Sequence, residues 1–228
     1  KNLPLLFVTM RKSWWKILAV ICLVYVIIGG FLFPSIDDLG ILAKTVRNLH
    51  FHVPMWFTML TLMTVSVVYS IKFLKSRNLK FDVYAHIFAH VGTLFGVLGF
   101  VTGMLWGKYT WGDWIPKDTK IIGAAIAVLI YVAYFILRSS MTDEEKKANL
   151  SSAYNVFAYI MLIIFTLIYP RMHASLHPGN GGNPGFNSYD LDSTMRMVFY
   201  PAVIGFILLG VWISSVRIRI EQLKSKES

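Results

Sequence analysis

Charged residues are scarce in this chain, which excludes most classes of soluble protein. They make up 15% of its 228 residues, while hydrophobic residues make up 56% and the mean hydropathy is +0.58. Soluble domains carry about 25% charged residues. The composition therefore predicts an integral membrane protein whose surroundings are the lipid bilayer.

Cysteine and nucleotide-binding motifs are also nearly absent. Cys22 is the only cysteine of the sequence, so no internal disulfide can form. Neither C-x-x-C nor C-x-x-C-H occurs, and the chain is therefore neither a thiol oxidoreductase nor itself a c-type cytochrome. No Walker sequence and no glycine-rich dinucleotide fingerprint is present, so any dependence on ATP must come from a partner protein.

Long apolar runs are what the sequence offers instead. A bilayer core of about 30 Å requires about 20 helical residues, and six stretches approach that length: 17–33, 53–71, 83–105, 121–137, 153–170 and 197–216. Because lipid cannot satisfy backbone polar groups, such continuous runs indicate helices and not barrel strands. We predict an all-α integral membrane protein, a single domain over residues 1–228 formed by a bundle of six transmembrane helices with short external loops.

The basic residues are distributed unevenly across the predicted membrane. The formal net charge is +10, with 22 Lys and Arg against 12 Asp and Glu. Most of the basic residues lie on the side that holds both ends of the chain. The positive-inside rule therefore predicts that both termini are cytoplasmic, and no nucleic-acid partner is needed to explain the charge. The basic residues left for the opposite face are Lys44, Arg47, Lys108, Lys117, Lys120, Arg171 and Arg196.

The external segment 106–120, between the third and fourth predicted helices, is rich in tryptophan. It holds three of the seven tryptophans, Trp106, Trp111 and Trp114, separated by Gly107 and Gly112. Isolated tryptophans in a membrane protein are typical of interface anchors, but three within nine residues favour a binding platform. A tryptophan offers a large apolar surface at low rotamer cost, and glycine lets the backbone approach a flat ligand closely.

Histidines flank this segment on the same predicted face. His50 and His52 lie where the second helix re-enters the membrane, and His173 and His177 follow the fifth helix. The run of glycine, asparagine and proline after His177 predicts a mobile loop. Because both loops reach the same face, a histidine from each can converge on the tryptophans.

Indoles beside imidazoles favour a flat aromatic ligand that contains a metal. Its ring system needs π surface, and its iron needs one or two neutral imidazole nitrogens. Heme meets both conditions, and Lys108, Lys117 and Lys120 are placed to meet its propionates. The alternative is that the tryptophans are anchors, as we expect for Trp56, and that the histidines are hydrogen-bonded surface groups.

Two further histidines lie within the third predicted helix. His86 and His90 stand four residues apart, hence on one face, at a depth where ionisable groups are costly. They could bind a second heme, but we expect neutral side chains that hydrogen-bond to neighbouring helices. Asp113 and Asp118 have a similarly plain interpretation as solvated loop residues, with Asp118 well placed to cap the next helix.

Three stretches of the sequence resemble a known family. They are HVP at 52–54, TGMLWGKYTWGDW at 102–114 and SLHP at 175–178. In this order on six helices they resemble the heme exporter protein C family, also called cytochrome c maturation protein C, whose members handle heme with a tryptophan-rich (WWD) external domain. The resemblance runs over nearly the whole chain. It implies heme binding at the periplasmic face of the bacterial inner membrane.

The resemblance also implies site residues and partners. His52 and His177 match the HVP and LHP motifs and become the axial iron ligands, which leaves His50 and His173 as neighbours. A non-covalently held b-type heme would contact the cofactor-binding residues Trp106, Gly107, Trp111, Gly112, Trp114 and Asp118. The implied partners are a periplasmic heme chaperone, the subunits of an ATP-binding cassette complex and a small membrane subunit.

The tryptophan-rich motif departs from the family pattern after Trp114. Ile115 and Lys117 stand where further tryptophans are expected, and PKDT at 116–119 is similar to a stretch of the synthetases that attach heme to cytochrome c. We predict a protein that binds and delivers heme during cytochrome c maturation and performs no covalent catalysis of its own. A heme-attachment synthetase component and a heme-free permease or scaffold subunit are the alternatives.

Overall fold

The computed structural model describes residues 13–32, 45–177 and 191–227, and every regular element within them is helical. A 3-10 turn (Val46–Asn48) precedes the second long helix, and a π-helical segment (Ile164–Ile168) followed by a 3-10 turn (Tyr169–Arg171) extends the fifth. The six long helices are α1 (Trp14–Leu32), α2 (Leu49–Ser76), α3 (Leu79–Trp111), α4 (Thr119–Ser139), α5 (Glu144–Ile163) and α6 (Ser193–Glu227).

With these extensions, six helices are long and apolar enough to cross a membrane. This confirms the predicted all-α bundle of six spans. The side of the membrane on which the termini lie stays a prediction. We refer to the end of the bundle that holds residues 106–120 as the tryptophan end.

Helix α2 lies at the centre of the bundle. It packs closely against α3 and also contacts α5 and α6, while α1 packs against α6 and α4 against α5. Most large apolar side chains of α1 are exposed, as expected for a surface that faces lipid. The core between α2, α3, α4 and α5 is apolar and aromatic, and its fully buried members include Met59, Leu62, Phe88, Tyr131, Tyr134 and Leu162.

Four glycines on one face of α3 allow α2 to approach closely. An added Cβ at each would meet a side chain of α2, in a regular antiparallel register: Gly92 with Met63, Gly96 with Met59, Gly99 with Trp56 and Gly103 with His52. Small residues at helix contacts are a general device in membranes, where lipid supplies no hydrophobic driving force between helices. Here the close contact also holds the ring of His52 against the backbone of α3.

Helix α3 continues past the predicted boundary at residue 105 and ends at Trp111. The expectation that all of segment 106–120 joins α3 to α4 is therefore corrected, because residues 106–111 are helical and only 112–118 connect the two helices. A single glycine, Gly107, costs a helix only about 1 kcal/mol and does not end one whose apolar neighbours are packed. Gly112 ends α3: its φ is 81°, and its amide donates to the carbonyl of Lys108.

Helix α5 changes its hydrogen-bonding pattern as it approaches the tryptophan end. Residues Ile164–Ile168 are π-helical and bring the carbonyl oxygen of Phe165 against Gly123 of α4, where an added Cβ would overlap that oxygen. π-Bulges within α-helices occur frequently at functional sites. This one leads directly into Tyr169–Arg171 and the segment that holds His177.

Polar contacts join the helices toward the opposite end of the bundle. Arg138 of α4 forms a bidentate ion pair with Asp82 of α3, with nitrogen–oxygen distances of 2.7 and 2.6 Å. Asn155 of α5 donates to the hydroxyls of Ser66 and Ser70 on α2, at 2.8 and 2.9 Å. Side-chain hydrogen bonds of this kind connect helices in lipid.

We expect Gly123→Ala to lower the midpoint of thermal unfolding in detergent. Alanine is favoured over glycine in a helix by about 1 kcal/mol, but overpacking against the Phe165 carbonyl costs about 1–3 kcal/mol. Ala125→Ser adds one heavy atom at a half-buried position of the same helix and is the matched control. A midpoint for Gly123→Ala equal to or above that of the control would contradict this contact.

Candidate functional site

His52 lies in the first turn of α2, and its side chain is buried. Its Nδ1 lies 2.8 Å from the carbonyl oxygen of Gly99 and 3.2 Å from Oγ1 of Thr102, both on α3. A carbonyl oxygen only accepts, so the proton of the neutral ring is on Nδ1. The lone pair of Nε2 is therefore left for another partner, which is the arrangement found in metal-ligating histidines.

His177 reaches the same region from the segment that follows α5. Its Nδ1 lies 3.0 Å from Oδ1 of Asp118 and donates to it. Because the carboxylate accepts the Nδ1 proton, Nε2 of the neutral ring again keeps its lone pair. A carboxylate behind a histidine fixes the orientation of the ring and raises its basicity as a ligand. His52 and His177 thus share one tautomer.

Asp118 positions His177 and also begins α4. Its Oδ1 accepts from two backbone amides in the first turn of α4, which confirms the predicted helix cap. The interpretation of Asp118 as a solvated residue is wrong, because its side chain is buried. Its Oδ2 accepts from the hydroxyl of Ser175 at 2.8 Å and from the amide of Leu176 at 2.6 Å. One buried carboxylate therefore holds both the start of α4 and the segment that ends in His177.

The carboxyl group of Asp118 is ionised in this setting. Burial favours the neutral acid, but hydrogen bonds from His177, Leu176 and Ser175 outweigh burial and hold the pKa of Asp118 well below its usual range. The charge also lies at the N-terminus of α4, where the helix dipole favours an anion. The contact with His177 is therefore a charge-assisted hydrogen bond at neutral pH.

Both imidazoles lie beside a single indole. The ring centroid of Trp106 lies 6.0 Å from that of His52 and 6.2 Å from that of His177, with an edge-on arrangement in both pairs. Trp111 is a second neighbour of His177, with centroids 5.1 Å apart, and lies 6.3 Å from Trp106. The structure thus brings two of the three predicted tryptophans together with both predicted ligands.

Trp114 does not join this group. Its side chain is 50% exposed, and it makes no aromatic ring contact with the described residues. The two predicted glycines have structural roles: Gly112 ends α3, and an added Cβ at Gly107 would come within 3.2 Å of Pro116 and of the Asp113 carbonyl oxygen. Contacts of these three residues with a cofactor stay predictions.

A cavity of about 150 Å³ is lined by both His52 and His177. Its other walls come from α2, α3, α4 and the region around the π-helical segment, and they are mainly apolar, including Trp56, Phe100, Met104, Trp106 and Leu167. A mostly apolar cavity with a few convergent polar groups is the usual form of a small-molecule site.

The lysines predicted to meet propionates have three different settings. Lys120, in the first turn of α4, lines the cavity. Lys108 donates from Nζ to the carbonyl of Gly112 at 3.0 Å, which places it on the turn beside the cavity. Lys117 is exposed on the same turn.

The neighbouring histidines do not share the arrangement of His52 and His177. His50 is buried, and its Nδ1 has no hydrogen-bond partner among the described residues. His173 is exposed, with its ring 4.4 Å from that of Tyr169 and its Nδ1 3.0 Å from the Tyr169 carbonyl oxygen. Neither belongs to the described residues that line the cavity.

His86 and His90 lie away from the site, in the half of α3 remote from the tryptophan end. Nδ1 of His90 accepts from the guanidinium of Arg217 on α6 at 2.6 Å, which confirms the predicted bond to a neighbouring helix. The proton of the neutral ring is then on Nε2, and no lone pair is left for a metal. For His86 the prediction is wrong within the described part of the chain: its buried Nδ1 has no partner, and the ring packs beside Phe135.

Comparison with protein families identifies the chain. Its sequence matches a family model described as heme exporter protein C over residues 3–228. The chain belongs to the heme exporter protein C family. The match includes all six helices and every residue of the site, so the resemblance noted in the sequence is confirmed. Membership of this family, together with six helices able to span a membrane, makes it a multi-pass protein of the bacterial inner membrane.

Individual proteins named heme exporter protein C are similar to this chain. That of Haemophilus influenzae is 29% identical over 141 residues, which cover 60% of this chain and 54% of that protein. That of Paracoccus denitrificans is 24% identical over 205 residues, covering 89% of this chain and 83% of the relative. That of Escherichia coli K12 is 24% identical over 215 residues, covering 90% and 81% respectively.

The sequence did not predict the roles of two residues in this site, Trp56 and Ser175. Trp56, expected to be an interface anchor, lines the cavity, and its ring centroid lies 6.5 Å from that of His52. The available signal was the spacing of four residues from His52, which puts both on one face of a helix. Ser175 had no such signal, because its bond to Asp118 joins residues 57 positions apart.

We expect Asp118→Asn to loosen the segment 174–177. Asparagine loses the charge and one of two acceptor oxygens, and a hydrogen bond to a charged group contributes about 1.5–3 kcal/mol. Hydrogen exchange measured by mass spectrometry should therefore accelerate in this segment. Asp113→Asn is the matched control, because the exposed carboxylate of Asp113 accepts, among the described residues, only from the amide of Ile115, at 3.3 Å. Equal exchange in the two variants would show that Asp118 does not hold the segment.

Proposed function

We propose that this chain binds heme non-covalently at the tryptophan end of its bundle and presents it to a periplasmic heme chaperone during maturation of c-type cytochromes. The tryptophan end is then the periplasmic face, and both termini are cytoplasmic. Membership of the heme exporter protein C family supports heme handling in general. In the proposed site His52 and His177 ligate the iron, and Trp106 and Trp111 pack against the porphyrin.

The shared tautomer of His52 and His177 is the observation that carries this proposal. Each ring donates from Nδ1 to a fixed acceptor, and both rings line one cavity. No other described histidine meets both conditions. Two neutral imidazole nitrogens beside tryptophan rings form a donor set that suits heme iron.

The chemistry of the cavity walls also fits a porphyrin. The apolar side chains match the faces of the ring, and Lys120 offers a cation for a propionate. The indole Nε1 of Trp106 is buried and has no hydrogen-bond partner within the described residues. Buried donors are normally satisfied, so an acceptor supplied by a bound ligand would account for it.

Delivery of heme requires that one ligand be withdrawn, and the two histidines differ in how they are held. His52 is built into the tightly packed pair of α2 and α3. His177 lies on a non-helical segment attached to the start of α4 through Asp118 and through a bond from Thr119 to the carbonyl of Ala174 at 2.6 Å. His177 is therefore the ligand that a chaperone displaces. The glycine-rich run predicted to be mobile follows it and lies outside the described residues.

The proposed partners follow from the family to which the chain belongs. They are a periplasmic heme chaperone, an ATP-binding cassette complex and a small membrane subunit. Because the sequence has no nucleotide-binding motif, ATP acts through those other subunits. The proposal assigns binding and delivery to this chain and no covalent step.

We expect His52→Ala and His177→Ala each to weaken or shift the Soret band of the heme-loaded chain in detergent. Removal of either Nε2 leaves the iron with one protein ligand. His50→Ala and His173→Ala are the matched controls, because each lies close in sequence to a proposed ligand and outside the cavity. Spectra that change in the controls, or that stay the same in His52→Ala and His177→Ala, would reject the assignment.

We expect one heme per chain, with a spectrum that survives the double substitution His86→Ala and His90→Ala. The reason is that Nδ1 of His90 accepts a hydrogen bond from Arg217 and that neither His86 nor His90 lines the cavity. Iron and porphyrin content of the purified chain measures the stoichiometry. No bound heme would favour a heme-free scaffold, and a second heme lost in the double variant would favour a synthetase component.

A further inference from the structure

Helix α3 carries a strip of side chains on the side turned away from the glycines that face α2. This α3 strip consists of His86, His90, Leu94, Val97 and Val101, which recur every three or four residues and so lie on one face of the helix. His90 and the three apolar members are exposed. From His90 to Val101 the strip is about 16 Å long, which matches one leaflet of a bilayer core of about 30 Å.

The polar end of the α3 strip lies between α4 and α6, remote from the tryptophan end. The ring centroids of His86 and His90 lie 5.8 and 5.4 Å from that of Phe135 on α4. On the other side, Nδ1 of His90 accepts from the guanidinium of Arg217 on α6 at 2.6 Å. The strip therefore has a polar end that is bordered by two helices and an apolar run that leads from it toward the middle of the bundle.

The electrostatic surroundings of this polar end are basic. The charged or titratable groups that act on His86 come from α3, α4, α5 and α6, and all of them are basic: His90, Arg138, Lys147 and Arg217.

Arg217 differs from the other two strong cations of this group. Each of those two has a carboxylate at 2.6 Å: Asp82 for Arg138 and Glu144 for Lys147. Arg217 forms no ion pair with a carboxylate of the described residues, and Glu221, one turn further along α6, pairs with Lys224. A cation at the edge of a membrane span is costly without an anion beside it. Arg217 directly follows the predicted apolar run 197–216, where lipid headgroups begin.

We propose that the α3 strip binds one anionic lipid of the leaflet opposite the tryptophan end. The lipid phosphate accepts hydrogen bonds from Arg217, whose planar guanidinium suits a phosphate. An acyl chain lies along Leu94, Val97 and Val101. Basic pockets between transmembrane helices are known to hold lipid headgroups. This site is separate from the cavity of His52 and His177 and does not depend on heme.

The side chains of the strip favour an acyl chain over a partner helix. Helices that associate in lipid use small residues at their contact, and α3 presents four glycines of this kind to α2. The α3 strip contains no glycine, alanine or serine, and its apolar members are exposed leucine and valine side chains. A flexible chain can follow such a surface, whereas the backbone of a second helix would be kept at a distance.

Native mass spectrometry of the full chain in detergent, titrated with dioleoylphosphatidylglycerol or dioleoylphosphatidylcholine, tests the role of Arg217. We expect Arg217→Gln to weaken phosphatidylglycerol binding by about tenfold, because the charge-assisted bonds to the phosphate are lost, and to change phosphatidylcholine binding by less than about threefold. Arg219→Gln is the matched control, because it removes the same charge from an exposed position two residues further along α6. Equal effects of the two substitutions, or phosphatidylcholine binding as tight as that of phosphatidylglycerol in the unsubstituted chain, would overturn the proposal.

A second pair of substitutions tests the acyl chain and leaves the charges unchanged. Val97→Trp adds bulk to the α3 strip, and Ile160→Trp adds bulk at an exposed position of α5, which does not border the strip. We expect Val97→Trp to weaken phosphatidylglycerol binding by about tenfold and Ile160→Trp by less than about threefold. Equal effects of these two substitutions would overturn the placement of the chain.

Two further outcomes would assign Arg217 to another anion. If excess inorganic phosphate displaces phosphatidylglycerol, the site binds a free anion and the proposal of a lipid fails. If a membrane subunit copurifies in a manner that depends on Arg217 and phosphatidylglycerol is excluded, the anion is a carboxylate of that subunit and the proposal also fails.

Discussion

The arrangement of the site depends on the hydrogen bonds that the ionised carboxylate of Asp118 accepts. It caps α4 and accepts hydrogen bonds from the Ser175 hydroxyl, from the Leu176 amide and from Nδ1 of His177. A buried carboxylate is costly unless donors surround it, and here the donors come from two stretches of chain that are far apart in sequence. The hydrogen bonds between the carboxylate and these donors fix where the segment after α5 meets the start of α4. They thereby fix the position of His177.

His52 is fixed by a different physical device. Glycines on α3 bring α2 so close that the ring of His52 meets Gly103 and bonds the Gly99 carbonyl. In lipid such close contact between helices depends on small residues and on side-chain hydrogen bonds. Packing thus holds one imidazole and an ionised carboxylate holds the other, and both lie beside Trp106. This difference supports the view that His177 is the exchangeable ligand.

The six spans could be predicted because the thickness of the bilayer sets the length of each apolar run. Position at the helix ends indicated four candidate histidines, and only the resemblance of HVP and SLHP to family motifs singled out His52 and His177 as the proposed ligands. The extra turns of α3 could not be predicted, because the polar and glycine residues at 107–110 resemble a loop in sequence, whereas the helix ends only where Gly112 adopts a positive φ. The exposure of Trp114 could not be predicted either. The point at which Gly112 ends the helix determines which indoles face inward.

The central claim is that two histidines distant in sequence bind one iron beside Trp106. Electron paramagnetic resonance of the full chain loaded with ferric heme tests it most directly, because the spin state reports the axial ligands. The account predicts a single low-spin species with two imidazole ligands. A predominantly high-spin spectrum in the unsubstituted chain, or a low-spin spectrum that persists in the His52→Ala and His177→Ala double variant, would contradict it.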